Sequence, residues 1–281
     1  MKIFVINLKR SQGRRQRIEK HLKKLNLDYE LFEAIDGYKL TEDQIKSYVD
    51  PHSKYSNAFI KPTEYSDGFV SPFKPAEIGC FLSHYRIYEK ICNDKLEYAL
   101  ILEDDIDMSD HLPNILSEIE EKHIKQGEII SLFANFLSNS ELYTYSNLNN
   151  DYSIIKPSSI KLSAGTTLSG TVAYIITYAT ACKFVKELIP MHTVIYDWGF
   201  YFHKELIKDY KIVFPNPVEE SGEYSDIHES YGGILLKLKK ALIEKFPIIG
   251  NLILKKRKFE RRKHRFDSIT IDGKRPSIIF K

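Results

Sequence analysis

Short runs of apolar residues alternate along this chain with stretches in which apolar residues recur every three or four positions. One run covers residues 2–8 and another covers 29–34. Between them, Ile18 and Leu22 fall on one face of a basic helix that begins after Ser11. A strand, a helix and a strand at this spacing are typical of a βαβ unit in a parallel sheet. The pattern therefore predicts an α/β fold.

The alternation continues through most of the chain. Pro75 suits the first turn of a helix whose apolar residues follow at helical spacing as far as Ile91, and residues 98–102 form the continuous apolar run of a strand buried on both faces. Further helices are predicted at about 112–125, 179–188 and 197–208, and strands at 128–133, 171–177 and 211–214. Residues 50–74 have no clear period and predict a long loop, a candidate lid or acceptor loop. The polar residues 136–163 predict loop with short strands.

The C-terminal part of the chain is strongly basic. Residues 234–265 contain twelve Lys and Arg against two Glu, a net charge of +10, whereas the whole chain carries only +3. We therefore predict an α/β domain over residues 1–230 and a basic, amphipathic, helical tail over 231–281. An apolar stripe from Leu235 to Phe246 would either lie on an anionic membrane surface or pack on the body of the protein.

The overall composition is that of a globular protein. Hydrophobic residues make up 43% and charged residues 28%, which excludes a disordered chain. Cys80, Cys92 and Cys182 are widely spaced, so we expect neither a disulfide framework nor a zinc cluster, and we expect a reducing compartment. The sequence shows no signal-peptide core and no apolar stretch long enough to span a membrane, which predicts a cytoplasmic protein.

The strongest candidate site follows the buried strand. Glu103, Asp104 and Asp105 come directly after residues 98–102. Open α/β sheets bind ligands beyond the carboxyl ends of their strands, and adjacent carboxylates repel one another unless a cation stabilises them. Carboxylate oxygens suit Mg²⁺ or Mn²⁺, particularly where phosphates complete the shell. A solvated acidic turn would have the same sequence, so both interpretations remain open.

Candidate acid–base groups occur in three other segments. Glu77 and His84 are seven residues apart and would share a face of the helix that begins at Pro75, although a partly buried helix also holds such residues for structural reasons. Asp197 precedes a predicted helix, where it is either a functional group or the N-cap. His228 follows the last predicted strand and is either a metal ligand or a surface histidine.

Phosphate-binding signals are weaker. Arg10 and Arg14 follow the first strand, where they would meet a diphosphate or simply form a solvated helix face. Residues 165–171 nearly spell a phosphate loop, but Thr171 stands where a P-loop has lysine. The GxGxxG, HExxH and GxSxG motifs are absent from the sequence, which argues against a dehydrogenase, a zinc protease and an α/β-hydrolase.

The order of these segments resembles glycosyltransferase family 25, whose members build bacterial lipooligosaccharide and include collagen galactosyltransferases. The matching segments are Ile6–Ser11 with Arg14, Phe32–Gly37, Glu77–His84, Leu100–Asp105 and Ser169–Ile176, within residues 1 to about 230. The resemblance implies a Rossmann-like α/β fold of the GT-A type. It also implies inverting transfer of a sugar, most often galactose, from a UDP-sugar to a hydroxyl of a lipooligosaccharide-type glycan, with Mn²⁺ (or Mg²⁺) as cofactor.

The resemblance further implies roles for individual residues. The segment Glu103–Asp105 replaces the metal-binding DxD motif, and the candidate metal ligands are Asp105, Glu103 and His228. The expected donor-binding residues are Asn7, Leu8, Arg10, Arg14, Asp36, Ser83, Glu103, Asp104, Gly170 and Thr171. An inverting displacement needs a base to take the proton of the acceptor hydroxyl. Asp197 is the first candidate, and His84 and Glu77 are the reserves.

Two other classes of function fit parts of the sequence, a non-catalytic binding module and a nucleic-acid-binding protein. A non-catalytic module that binds a divalent cation or a sugar would use the same acidic turn, although the spacing of an EF-hand is absent. Nucleic acid is not an expected partner, because the basic tail contains no recognised motif and the rest of the chain is acidic. The expected partners are a nucleotide-sugar and a glycan that is lipid-linked. Residues 234–265 would then attach the protein to the inner face of the cytoplasmic membrane.

Overall fold

The computed structural model describes residues 1–55, 62–135, 140–160, 169–222 and 247–276. The strands are β1 (Lys2–Asn7), β2 (Glu30–Glu33), β3 (Thr63–Glu64), β4 (Val70–Ser71), β5 (Tyr98–Glu103), β6 (Ile106–Met108), β7 (Glu128–Ser131), β8 (Ser140–Asn147), β9 (Ser153–Pro157), β10 (Ala173–Thr177), β11 (Asp209–Phe214), β12 (Val218–Glu220) and β13 (Ile269–Ile271). The helices are α1 (Gln12–Lys24), α2 (Glu42–Tyr48), α3 (Pro75–Asn93), α4 (Leu112–Lys122), α5 (Tyr178–Glu187), α6 (Trp198–His203) and α7 (Pro247–Asp267).

A nine-stranded mixed sheet in the order β13-β8-β9-β11-β7-β10-β5-β1-β2 forms the centre of the molecule. The predicted βαβ unit is confirmed, because β2 and β5 flank β1 and both run parallel to it. β10, however, lies antiparallel between β5 and β7, so the prediction of a parallel sheet is wrong for that strand. A continuous apolar run indicates burial on both faces of a strand and carries no information about its direction.

Helices cover both faces of the central strands, as β5 illustrates. Ala99 and Ile101 belong to the core on the side of α3 and α5, whereas Leu100 and Leu102 belong to the core on the side of α1 and α4. Alternate residues of a strand point to opposite faces, so a strand covered on both sides is apolar at every position. The predicted central strand at 98–102 is therefore confirmed.

Several predicted boundaries differ from the structure. Residues 136–163 were predicted to be loop with short strands, but they include two substantial strands, β8 and β9. Much of β8 is exposed on its outer face, so its many polar residues gave no clear strand pattern. The predicted loop at 50–74 contains the β3–β4 hairpin; its residues 56–61 lie outside the described residues. The helix predicted at 197–208 ends at His203, in α6.

Cys92 and Cys182 form a disulfide that joins α3 to α5. These helices pack side by side on one face of the sheet, and the two Cα atoms are 5.5 Å apart although the residues are 90 positions apart in sequence. The prediction of unpaired cysteines is therefore wrong, and the inference of a reducing compartment that rested on it loses its basis. Linear spacing cannot show which cysteines two packed helices bring together.

The described part of the basic tail packs on the body of the protein. β13 pairs with β8 at the edge of the main sheet, and the ring of Phe266 packs against Phe214 with 5.2 Å between centroids. Basic residues of α7 pair with the acidic residues of β6 and β12: Lys258 with Asp107 (2.7 Å), Arg261 with Glu220 (2.6 Å) and Arg265 with Glu219. A division at residue 230 consequently does not separate residues 247–276 from the body. The apolar stripe at 235–246 lies outside the described residues, and none of the described helices is long and apolar enough to cross a membrane.

Candidate active site

The carboxyl ends of β1 and β5 lie side by side, which brings together residues almost a hundred positions apart. Nδ2 of Asn7 donates a hydrogen bond of 2.6 Å to Oδ2 of Asp104. From the first turn of α1, the guanidinium of Arg14 lies 3.4 Å from Oδ1 of Asp104 and 3.9 Å from Oδ2 of Asp105. The predicted basic and acidic groups therefore face each other at one edge of the sheet.

These groups border an open cleft of about 670 Å³. Its lining residues come from the ends of β1, β2 and β5 and from one face of α3: Ile6, Leu8, Arg10, Arg14, Ala34, Ile35, Asp36, Gly37, Tyr38, Ala76, Cys80, Ser83, His84, Glu103, Asp104 and Asp105. Most of the residues predicted to bind the donor are among them. The cleft has the position expected of a ligand site in an α/β sheet.

The wall between β2 and α3 is closed by direct backbone contact. A Cβ atom on Gly37 would lie 1.6 Å from the carbonyl oxygen of Pro75, so only glycine fits there. Oγ of Ser83 accepts a hydrogen bond from the amide of Ile35 (2.8 Å) and donates one to the carbonyl of Gly79 (2.6 Å). Ser83, predicted as a donor-binding residue, therefore also ties α3 to the end of β2.

The acidic residues of the cleft have unequal pKa values. Burial, followed by the nearby charge of Glu103, raises the pKa of Asp105 to about 7, and burial also raises the pKa of Asp104. Burial would raise the pKa of Glu103 too, but the facing His84, the hydroxyl of Thr171 and the charge of Arg14 hold it below its ordinary value. A cluster of oxygen donors whose charges are incompletely balanced fits Mn²⁺ or Mg²⁺.

Glu103 is held by groups from two other elements. The hydroxyl of Thr171 donates a hydrogen bond of 2.7 Å to Oε1 of Glu103, and Nε2 of His84 lies 3.6 Å from the same atom. The carbonyl oxygen of Gly170 accepts a hydrogen bond of 3.0 Å from the indole of Trp198, which fixes the segment that carries Thr171. The predicted residues Gly170 and Thr171 thus support the floor of the cleft.

Two predicted acid–base residues lie elsewhere. Asp197 caps α6: its carboxylate accepts hydrogen bonds from the amide of Phe200 (3.0 Å) and the hydroxyl of Thr193 (2.8 Å). Glu77 accepts a hydrogen bond of 2.9 Å from the amide of Lys74 in a capping box. Burial raises the pKa of both carboxyl groups, and neither lines the cleft. Their catalytic roles stay predictions, and His228 lies outside the described residues.

The cleft also contains residues that were not predicted from the sequence, among them Tyr38 and Cys80. Tyr38 lines the cleft and is 55% exposed, in a turn that carries no periodic signal. Cys80 lies one turn before His84 on α3, and that spacing could have indicated that both side chains face the same way.

The sequence model of a known family, described as "Glycosyltransferase family 25 (LPS biosynthesis protein)", matches residues 1–197, which include every element around the cleft. The chain belongs to glycosyltransferase family 25. The α/β fold of the GT-A type implied by the resemblance is confirmed by this membership together with the mixed sheet and its cleft at the strand ends.

Relatives of known name match a shorter part of the chain. A "Glycosyltransferase 25 family member" from Aedes aegypti is 37% identical over 112 residues, and the human "Procollagen galactosyltransferase 2" is 37% identical over 105 residues. Each match covers 37% of this chain but only 16% and 15% of the respective relative, so the chain corresponds to a small part of those proteins. A solved glycosyltransferase involved in glycosylation of the major capsid of PBCV-1 matches with a TM-score of 0.31 and 11% identity, covering 75% of this chain and 80% of that one.

Proposed function

We propose that this chain is an inverting, metal-dependent galactosyltransferase that transfers galactose from UDP-galactose to a hydroxyl of a lipooligosaccharide- or LPS-type glycan. The observation that carries the proposal is the meeting of Arg14 with Asp104 and Asp105 in a cleft at the strand ends. A cation and a basic side chain at such a site are what a nucleotide diphosphate needs. The similarity to a human procollagen galactosyltransferase supports the donor sugar, and the description of the family as LPS biosynthesis proteins supports the acceptor class.

Different residues of the cleft would contact different parts of the donor. Arg10 and Arg14 would contact the diphosphate, whose charge and geometry suit guanidinium groups. Asp105 and Glu103 would hold Mn²⁺ or Mg²⁺, while Asp104 is engaged by Asn7 and Arg14. When bound, the ion supplies neutralisation of the charge that develops on the departing UDP.

Inversion requires a base near the acceptor hydroxyl, and we propose His84 ahead of Asp197. His84 lines the cleft and faces Glu103, a carboxylate that would stabilise the imidazolium formed when the ring takes a proton. Asp197, by contrast, uses its carboxylate to cap α6 and to bind Thr193. On the sequence alone, Asp197 was placed before His84 as the candidate base. We reverse that order because His84 lines the cleft and Asp197 does not.

The acceptor side of the proposal includes a lipid-linked glycan and attachment to an anionic membrane. The solvent-facing side of α7 supports this part, because it exposes Leu252 and Phe259 beside Lys255 and Lys256. An exposed side of this composition suits a helix that contacts lipid headgroups.

The test is a panel of UDP-sugars, with and without a lipooligosaccharide acceptor, in Mn²⁺. We expect acceptor-dependent release of UDP with UDP-galactose, a product heavier by one hexose, and loss of both in excess EDTA. Release with a different UDP-sugar would replace galactose in the proposal. Binding of a cation or a sugar without release of UDP from any donor would instead favour the non-catalytic module.

A further inference from the structure

Three potential metal ligands of different chemistry converge on the floor of the cleft. Sγ of Cys80, a ring nitrogen of His84 and a carboxylate oxygen of Glu103 all lie within 4.8 Å of one another. Cys80 and His84 are four residues apart on α3, so the helix presents both to the end of β5. The helix α3 and the carboxyl end of β5 therefore fix the positions of the three ligands. The hydroxyl of Thr171 also holds the carboxylate of Glu103 by a hydrogen bond.

The histidine of the cluster is prepared as a ligand. Only 1% of His84 is exposed, and its Nε2 atom has no hydrogen-bond partner among the described residues, although it points to Glu103 at 3.6 Å. Nδ1 is 2.8 Å from the hydroxyl of Tyr174, which is 2.6 Å from that of Tyr88. The hydroxyl of Tyr174 can accept a hydrogen bond from Nδ1–H and donate one to the hydroxyl of Tyr88, which leaves the lone pair of Nε2 available. Metal-bound histidines have such a partner on the other ring nitrogen.

The cysteine of the cluster is the free thiol of the chain. The sequence contains three cysteines, and Cys92 and Cys182 are joined to each other, which leaves Cys80. Thiolate, imidazole and carboxylate together are a ligand set for Zn²⁺, whereas Mg²⁺ and Mn²⁺ prefer oxygen alone.

We propose that Cys80, His84 and Glu103 form a Zn²⁺ site on the floor of the cleft, which shares Glu103 with the oxygen site that includes Asp105. Binding replaces the S–H bond of Cys80 by a bond from sulfur to zinc and releases the proton to solvent, while His84 binds as the neutral ring. Three protein ligands leave a fourth position for water or a bound molecule.

Occupation of this site would inhibit sugar transfer, a consequence that rests on the proposed function. Zinc would take the Nε2 lone pair of the proposed base and an oxygen of Glu103 that the Mn²⁺ site also needs. Binding of zinc itself does not depend on sugar transfer. An experiment can therefore contradict the zinc site or the proposed transferase activity without contradicting the other.

The test titrates the full-length, non-reduced protein, freed of metal by chelator, with Co²⁺ as a spectroscopic substitute for Zn²⁺. We expect a thiolate-to-cobalt charge-transfer band in the near ultraviolet that stoichiometric Zn²⁺ abolishes. Cys80→Ala should remove the band, and Asp105→Asn should retain it. Tyr174→Phe should weaken zinc binding by about 10–100-fold, the usual effect of removing the group that orients a ligating histidine.

A second readout is activity in Mn²⁺. Wild type should lose transfer when Zn²⁺ is added, whereas Cys80→Ala, measured relative to its own rate without zinc, should be far less sensitive. Thermal melts establish that each variant is folded. Absence of the charge-transfer band in folded wild-type protein, or an undiminished band in Cys80→Ala, overturns the proposal. A band without inhibition supports the site and contradicts only its proposed effect on transfer.

Discussion

The side chain of Asn7 donates a hydrogen bond of 2.6 Å to the carboxylate of Asp104, a residue 97 positions later in the chain. Both side chains are buried, and the bond joins the carboxyl ends of two neighbouring parallel strands. Since Arg14 approaches the other oxygen of Asp104, this carboxylate belongs to the framework of the cleft. Glu103 and Asp105 are then the carboxylates available for a cation.

Removal of this bond should destabilise the protein. Asn7→Ala leaves a buried carboxylate without one of its donors, and an unsatisfied buried polar group costs about 1–3 kcal/mol of unfolding free energy. Urea unfolding measures the loss. Asn114→Ala, on the exposed face of α4, is the matched control and should change stability by less than about 0.5 kcal/mol. Equal effects of the two substitutions would contradict the structural role of Asn7.

Asp105→Asn should abolish transfer and leave the fold intact. A carboxamide is a weak ligand for a hard divalent cation and brings no charge to balance it, so the site should lose its ion. Release of UDP in Mn²⁺ measures the effect. Asp110→Asn removes a surface acid that pairs with Lys24, and this control should retain activity. Full activity of Asp105→Asn, or of wild type in EDTA, would sink the assignment.

The stability of the metal-free protein should also depend on Asp105. Because its pKa is raised from 3.8 to about 7, the folded state retains a proton that the unfolded chain has lost between these values. Stability in EDTA should therefore fall as the pH rises through that window, by up to about 1.4 kcal/mol per pH unit. Asp105→Asn should lack this part of the pH dependence and be more stable than wild type at about pH 8. Identical pH profiles in urea unfolding would contradict the prediction.

The position of the cleft could be predicted from the sequence because the local hydrophobic pattern and the topology of a parallel sheet lead to the same arrangement. The apolar run that ends at Glu103 predicted a central strand, and the pattern from Pro75 predicted α3. Parallel strands then had to bring their carboxyl ends to one edge. This reasoning located Arg14 and Asp105 on the same side without any structural information.

Features that depend on packing between distant segments were not predicted. The pairing of Cys92 with Cys182 follows from the contact between α3 and α5. The ion pair of Arg265 with Glu219 likewise depends on the contact of α7 with β12, which the charge pattern of the tail does not show. The N-cap role of Asp197, in contrast, is one of the two roles that the sequence allows, because it needs only the local pattern before α6.

The choice of base is tested by two substitutions. His84→Gln should lower the transfer rate by about 10²–10⁴-fold, the usual contribution of a general base, with binding of UDP-galactose little changed. Asp197→Asn should leave the rate near that of wild type, because asparagine caps a helix about as well as aspartate. Rates are measured at saturating donor, and donor affinity by calorimetry. The opposite ranking would restore Asp197 as the base.

The exposed side of α7 should attach the protein to anionic membranes. Leu252 and Phe259 are 63% and 48% exposed, and Lys255 and Lys256 lie beside them. Each cation near an anionic surface contributes about 1 kcal/mol, so loss of two should weaken binding by about 30-fold, and reversal of both charges should weaken it further. Wild type should sediment with vesicles that contain an anionic lipid at low salt and remain in the supernatant with neutral vesicles. The double variant Lys255→Glu/Lys256→Glu should remain in the supernatant with both.

Because any change of net charge alters attraction to an anionic surface, the control reverses two exposed lysines on another helix. Lys183→Glu/Lys186→Glu on α5 changes the net charge of the protein by the same amount, and α5 packs on the face of the sheet opposite to β6, the strand that α7 binds through Lys258. If α7 is the contact, this variant should sediment almost as well as wild type, since attraction falls off within a Debye length of the surface. Equal loss in both double variants would show that binding follows net charge alone. Failure of wild type to sediment with anionic vesicles would remove the membrane from the proposed acceptor chemistry.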